Sequence, residues 1–221
     1  MVVLATKCYV EGDARERALD GLRSLVENAI GDLAVEYEVG LRHDDFPSVT
    51  VSGEDETVAR NVLHEEWGAI TPEFEAGDVY TGTLERWDEE GLVLDAGEEV
   101  RIPSDQLGLG PGTPDQIRTR YGLVQHLPLK FVSGEPNRLA DEERDRLYEW
   151  SRGAGRVNVN SATRGETRAT VNRAGHAQDI ITVERLGLLE QSIVCADGTD
   201  PPGLLASIGS YLPAELLCVV A

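Results

Sequence analysis

RVNVNSATRGETRATVNRAGHAQDIITVERLGLLEQSIVCADGTDPPGLLASIGSYLPAELLCVVA, residues 156–221, alternates strand-like and helix-like patterns in an order that admits few folds. Val157 to Ala162 reads as a strand, Arg164 to Ala174 as a helix, Asp179 to Arg185 and Leu188 to Ala196 as strands, Pro201 to Tyr211 as a helix and Leu216 to Val220 as a closing strand. Local chemistry sets the helix ends. Thr163 and Glu166 have capping-box spacing, Gly175 suits a left-handed C-cap, and Asp200-Pro201 places a capping carboxylate before a proline at the first helical position. The β-α-β-β-α-β order predicts a ferredoxin-like sandwich, with two helices over one face of an antiparallel sheet.

The chain starts with the same kind of pattern. Residues 2–10 are a β-rich run, and a helix from about Asp13 to Ile30 sets Ala18, Leu22, Leu25, Val26 and Ala29 on one stripe before Gly31. Strands at Leu33 to Leu41 and Pro47 to Ser52 and a helix from about Asp55 to Trp67 complete β-α-β-β-α. Between the two sandwiches the chain is glycine-rich, with short strands at Val79 to Arg86, Gly91 to Asp95, Glu98 to Ile102 and Leu127 to Val132 and the loop LGLGPGTP, a pattern that suggests a small barrel. A polar helix with a thin stripe of Leu139, Leu147 and Trp150 follows. The expected fold class is α+β: a ferredoxin-like N-terminal domain (1–71), an S1/OB-like barrel (72–135), a linker and helix (136–155) and a ferredoxin-like C-terminal domain (156–221).

Composition narrows the class of function. Of 221 residues 41% are apolar, yet no apolar run reaches the roughly 18 to 20 needed to span a bilayer, and the start MVVLATKCYVEGD lacks a basic n-region and a long h-region. A cytoplasmic protein with no membrane partner is expected. Cys8, Cys195 and Cys218 sit singly in apolar stretches, as small buried hydrophobes do. Forty acidic residues face 20 basic ones, and only Lys7 and Lys130 are lysine. The carboxylates are spread along the chain instead of forming a tail, which suggests adaptation to molar salt, where the Debye length shrinks to about 3 Å. In such a solvent a net charge of −20 argues only weakly against nucleic-acid binding, which would then lean on stacking and hydrogen bonds.

Catalytic signals are missing. The histidines His43, His64, His126 and His176 lie far apart, and no nucleophile elbow, phosphate loop or metal-ligand spacing is present, so no catalytic residue, metal or cofactor is assigned. The expectation is a binding protein rather than an enzyme.

Three motifs are candidates for binding. The run Gly77 to Leu84, then Gly91 to Gly97, then Ile102 to Leu107 resembles the first half of an S1-type OB-fold barrel. That resemblance implies single-stranded RNA binding by aromatic stacking, with Tyr80 and Trp87 as platforms and Arg86, Arg101 and Lys130 as phosphate partners. Leu92 and Ile102 stand where S1 domains commonly carry an aromatic residue and a histidine, and the other reading is a scaffold barrel in which the two rings pack. The second motif is an island of net +4 between Arg152 and Gln178, five arginines against Glu166. Arg164, Arg168 and Asn172 share a helix face at i, i+4, i+8, with Arg173 and His176 beside them. This face either grips phosphates or pairs with the protein's own carboxylates, for example those between Asp141 and Glu149. The third is Asp200-Pro201-Pro202-Gly203-Leu204-Leu205, which looks like the strand-helix junction of ACT-type regulatory domains. There Thr199, Asp200 and Gly203 would meet a small ligand, or Asp200 simply caps the helix.

Taken whole, the chain resembles a family of uncharacterised archaeal proteins with an S1-like middle. The resemblance is carried by Arg173-Ala174-Gly175-His176, Asp179-Ile180-Ile181, Glu184 to Glu190, Cys195, Gly198-Thr199 and Pro202-Gly203-Leu204. It implies a haloarchaeal-type origin and this architecture, and carries over no catalytic residues. The leading expectation is an RNA- or ribosome-associated binding protein, with a small-molecule sensor and a structural adaptor with protein partners as the alternatives.

Overall fold

The structure, a computed structural model, describes residues 1–220. Three antiparallel sheets carry a mixed α+β chain. In the N-terminal part β1 (Val2–Val3), α1 (Gly12–Ile30), β2 (Val35–Leu41), β3 (Pro47–Gly53) and α2 (Glu56–Trp67) form a sheet of order β1-β3-β2 with two helices. The stripe on α1 does what its spacing demands: Ala18, Leu22, Val26 and Ile30, four residues apart, are buried. The β-rich run 2–10 is corrected, because its strand stops at Val3. Residues 4–8 are buried outside the sheet, where Thr6 Oγ1 accepts from the Leu188 amide (2.8 Å) and Lys7 reaches two carboxylates of the middle part. Tertiary contacts thus overrode β propensity.

The middle part contains β4 (Val79–Asp88), β5 (Gly91–Asp95), β6 (Glu99–Pro103), α3 (Pro114–Tyr121), β7 (Pro128–Val132), β8 (Arg138–Leu139) and α4 (Asp141–Trp150). Its sheet, ordered β6-β5-β4-β7-β8, curls into a half-barrel with a register shift between Leu84 and Arg86 on β4. The helix α3 follows the LGLGPGTP loop, in a stretch to which the sequence pattern assigns no element. Thr113 and Gln116 cap each other reciprocally, Pro114 opens the helix and Gly122, at φ 64°, closes it. Only eight residues long and mostly polar, α3 has too short an apolar stripe to stand out, although Ile117 and Tyr121 are in the core.

In the C-terminal part β9 (Arg156–Val159), α5 (Arg164–Arg173), β10 (Ile180–Arg185), β11 (Gln191–Cys195), α6 (Pro201–Ile208) and β12 (Leu216–Val219) follow the order read from the sequence. The sheet order is β10-β11-β9-β12 with every neighbour antiparallel. The α5 capping box forms as its spacing predicts. Asp200 precedes Pro201 but its side chain makes no cap hydrogen bond. The three cores interlock: Leu188 and Leu189 are buried in the N-terminal core, and Val219 in the middle one. No described helix is long and apolar enough to cross a membrane.

Candidate anion-binding face and the buried seam

The α5 helix begins at Thr163, whose hydroxyl accepts from the Glu166 amide while Glu166 reaches back to the Thr163 amide (2.9 Å). Thr167, Thr170 and Val171 turn inward, which leaves Arg164, Arg168, Asn172 and Arg173 exposed. In this acidic chain most arginines meet a carboxylate: Arg17, Arg23, Arg42, Arg60, Arg86, Arg101, Arg118, Arg138, Arg144, Arg146, Arg152, Arg156 and Arg185 all do. Arg15 and Arg120 donate to backbone carbonyls. Among the described residues, Arg164, Arg168 and Arg173 have neither an ion pair nor a hydrogen bond, and all three are on α5. Four of the five carboxylates of α4 are engaged elsewhere, Asp141 by Arg138 and Arg144, Glu142 by Lys130, Glu143 by Arg146 and Glu149 by Arg152, and the fifth, Asp145, forms no ion pair with α5 among the described residues.

The barrel candidates are placed differently. Arg86 pairs with Glu99 (2.6 Å), Arg101 with Asp88 (2.7 Å) and Lys130 with Glu142 (3.2 Å). The Arg101 guanidinium, by hydrogen bonding, holds the Asp88 carboxyl below its usual range, at about 2. Trp87 is covered by the Arg118 guanidinium 3.7 Å from its ring centroid, and its Nε1 donates to Asp115. Tyr80 packs edge-on against Phe74 (4.8 Å), and its hydroxyl accepts from the Glu75 amide. No hydrogen bond or ion pair among the described residues joins this set to α5. His176 is held between Asp179 (Nδ1 to Oδ2, 2.6 Å) and Ser207 (Nε2 to Oγ, 2.7 Å). Thr199 donates to the Asp179 carbonyl, and the Asp200 carboxylate lies over Gly203, where a Cβ would sit 2.5 Å from Oδ2. Asp200 thus occupies the space over the helix start itself.

A second cluster, with no motif to announce it, lies where the three parts meet. Tyr9 donates to Glu190 Oε1 (2.7 Å) and accepts from the Ser161 amide (2.8 Å), and its ring stacks on His126 at 3.9 Å. Glu85 lies 3.2 Å from His126 Nδ1 and 2.9 Å from Lys7 Nζ, which also binds Asp95 at 2.7 Å. Burial alone would raise Glu85, but hydrogen bonds from His126, Thr83 and Lys7 outweigh it and hold its carboxyl at about 2. Glu190 goes the other way: fully buried, it is pushed up to about 8, with Tyr9's hydrogen bond offsetting only part of the loss of solvent. Its Oε2 has no partner among the described residues. Burial in the seam thus favours the protonated form of Glu190. The one sequence hint was Lys7, one of two lysines in an arginine-using chain. No group of three or more His, Cys, Asp or Glu among the described residues could hold a metal ion.

Three family models cover the chain. The DUF2110 N-terminal domain matches residues 1–73, the DUF2110 central domain 74–151 and the DUF2110 C-terminal domain 154–220. No curated protein matches it.

Proposed function

The chain belongs to the DUF2110 family, which contributes a three-part architecture and no activity, and from the surface itself we propose that it is a non-enzymatic RNA- or ribosome-associated binding protein whose contact is the α5 face. The observation that carries this reading is that, among the described residues, the arginines without any partner, Arg164, Arg168 and Arg173, all belong to one helix of a protein with a net charge of −20. Surplus carboxylate would be expected to neutralise them first. Guanidinium groups left free in such surroundings are matched to phosphate oxygens, which they can meet with two parallel bonds.

The barrel takes the role of scaffold in this proposal. An S1/OB-like reading is supported by its strand order, by α3 between its third and fourth strands, and by the approach of β8 to β6, where Asn137 Nδ2 donates to the Arg101 carbonyl (3.2 Å). With Tyr80 and Trp87 covered and Arg86, Arg101 and Lys130 paired, its outer face offers a polyanion little. The strand order of the C-terminal sheet likewise supports a ferredoxin-like sandwich, and the dispersed acidity supports a cytoplasm of high salt in a halophilic archaeon.

The test is binding of a fluorescent single-stranded RNA across a series of KCl concentrations. Each phosphate contact contributes about 0.7 to the slope of log K against log salt, so three arginines give about −2. Replacing Arg164, Arg168 and Arg173 by alanine brings the slope close to zero. RNA binding with an unchanged slope in that variant, or no binding by the wild type, disproves the α5 contact.

A further inference from the structure

Between α1 and α5 lies a cleft of about 330 Å³, walled by Arg17 and Arg164 and floored by Ala18, Leu25, Leu188 and Gln191. A larger cavity, about 710 Å³ beside β1 and α2, has its arginines already committed, Arg42 to Asp44 and Arg60 to Glu56. The smaller cleft is the one with unmet bonding capacity.

Positive charge is crowded in it. Arg185 also lines the cleft, stacked 3.9 Å over Trp67 and paired with Glu66 (2.6 Å). Burial first, and then the like charge of Arg164, hold the Arg185 guanidinium below the usual arginine range. Arg17 pairs with Glu166 (3.0 Å) but is half exposed, and Arg164 is unpaired. An anion here would relieve repulsion among three cations that share two carboxylates.

A hydrogen-bond acceptor is also left unmet. Gln191 is fully buried, and its Nε2 donates to the carbonyls of Ala162 (3.1 Å) and Leu188 (3.2 Å), which fixes the amide orientation. Its Oε1 has no partner among the described residues. Buried polar atoms are rarely left so, and a ligand bearing an N–H or O–H would complete this one.

The floor is also open. Gly21 sits in the middle of α1, where glycine is less favourable than alanine, and a Cβ there would meet nothing within 4 Å. Gly165, in the first turn of α5, is equally open. Neither glycine is required by packing. Together they leave a small-residue shelf on which a flat ring can lie.

We propose that the cleft between α1 and α5 binds a nucleotide, with its phosphate on Arg164 and Arg17, its ring over Gly21 and Ala18, and a hydroxyl or amino group donating to Gln191 Oε1. Anion, flat apolar body and hydrogen-bond donor are the three things the cleft lacks, and a nucleotide brings all three in a volume suited to small ligands. The nucleotide is either free or the phosphorylated end of an RNA. The assignment rests on the preceding reading only through Arg164.

The experiment is calorimetric titration of the full chain in 1 M KCl with adenosine 5′-monophosphate as the probe. The nucleotide is expected to bind at least about tenfold more tightly than inorganic phosphate, and Arg164→Gln to weaken it by about tenfold or more. Gly21→Leu fills the shelf with a better helix former, so it abolishes nucleotide binding while leaving the melting temperature equal or higher. Competition by a 5′-phosphorylated oligoribonucleotide, with none by its 5′-hydroxyl counterpart, identifies an RNA end as the source; competition by neither identifies the free nucleotide. Arg168→Gln, outside the cleft, leaves nucleotide affinity unchanged even where RNA affinity falls. Nucleotide binding no tighter than phosphate, or insensitive to both Arg164→Gln and Gly21→Leu, or lost in Arg168→Gln, overturns the assignment.

Discussion

Glu190 carries its carboxyl in the seam between the three parts of the chain, and for this residue burial outweighs a hydrogen bond that favours the anion. Its folded value of about 8 lies above its ordinary 4.5, so the folded protein binds more protons than the unfolded chain between the two. The stability it contributes is therefore fully present below about 4.5 and is lost as pH rises through about 8. The melting temperature should fall between about pH 5 and pH 8, and Glu190→Gln should flatten that limb; an equally steep limb in the variant would show that Glu190 does not carry it. Glu85 works in the opposite direction, its contribution being present above about 4.5 and lost as pH falls through about 2. Gly187 has no room for a methyl, because a Cβ would stand 2.2 Å from Glu190 Oε2 and 3.0 Å from Pro128. Gly187→Ala should cost roughly 1–3 kcal/mol in urea unfolding. None of this was legible in Arg185-Leu186-Gly187-Leu188-Leu189-Glu190 as a string, where Glu190 looks like one more acid of an acidic protein.

At the scale of elements, α5 was the most legible, because its start is written in four residues. The Thr163 to Glu166 capping box predicts a loss of about 1 kcal/mol for Thr163→Ala in equilibrium unfolding, and a loss below the error of the measurement would show that the box adds nothing. The same grammar was present at Thr113-Pro114-Asp115-Gln116 and went unread, since Gly108, Gly110 and Gly112 made the segment look like loop and eight polar-rich residues show little periodicity. The run from Val2 to Val10 failed in the other direction. Its composition is that of a strand, but beyond Val3 its backbone bonds Pro47, Gly68 and Asp45 of its own part, and the side chains of Thr6 and Lys7 reach the neighbouring parts of the molecule.

Across the whole molecule, ion pairs join what the linkers separate. Lys7 ties the N-terminal part to Glu85 and Asp95 of the middle, and Arg118 ties the middle to Glu215 of the C-terminal part (2.6 Å). With 10% of its side chain exposed, Lys7 cannot be removed without leaving two half-buried carboxylates facing each other. Lys7→Met should cost on the order of 3 kcal/mol and still unfold in one transition if the three cores act together. Added KCl should raise the melting temperature of the wild type, because screening relieves a net charge of −20.

What the sequence determined by itself was the order of elements in the C-terminal part, the capped start of α5 and the arginine island, because each depends on residues within a few positions of one another. Only the tertiary structure decided which charges are spent. It paired Arg86, Arg101 and Lys130, covered Trp87 with Arg118, and left Arg164, Arg168 and Arg173 free. Charge neutralisation acts across a few ångströms of space and is indifferent to distance along the chain, so the partners of a guanidinium cannot be read from its neighbours in sequence.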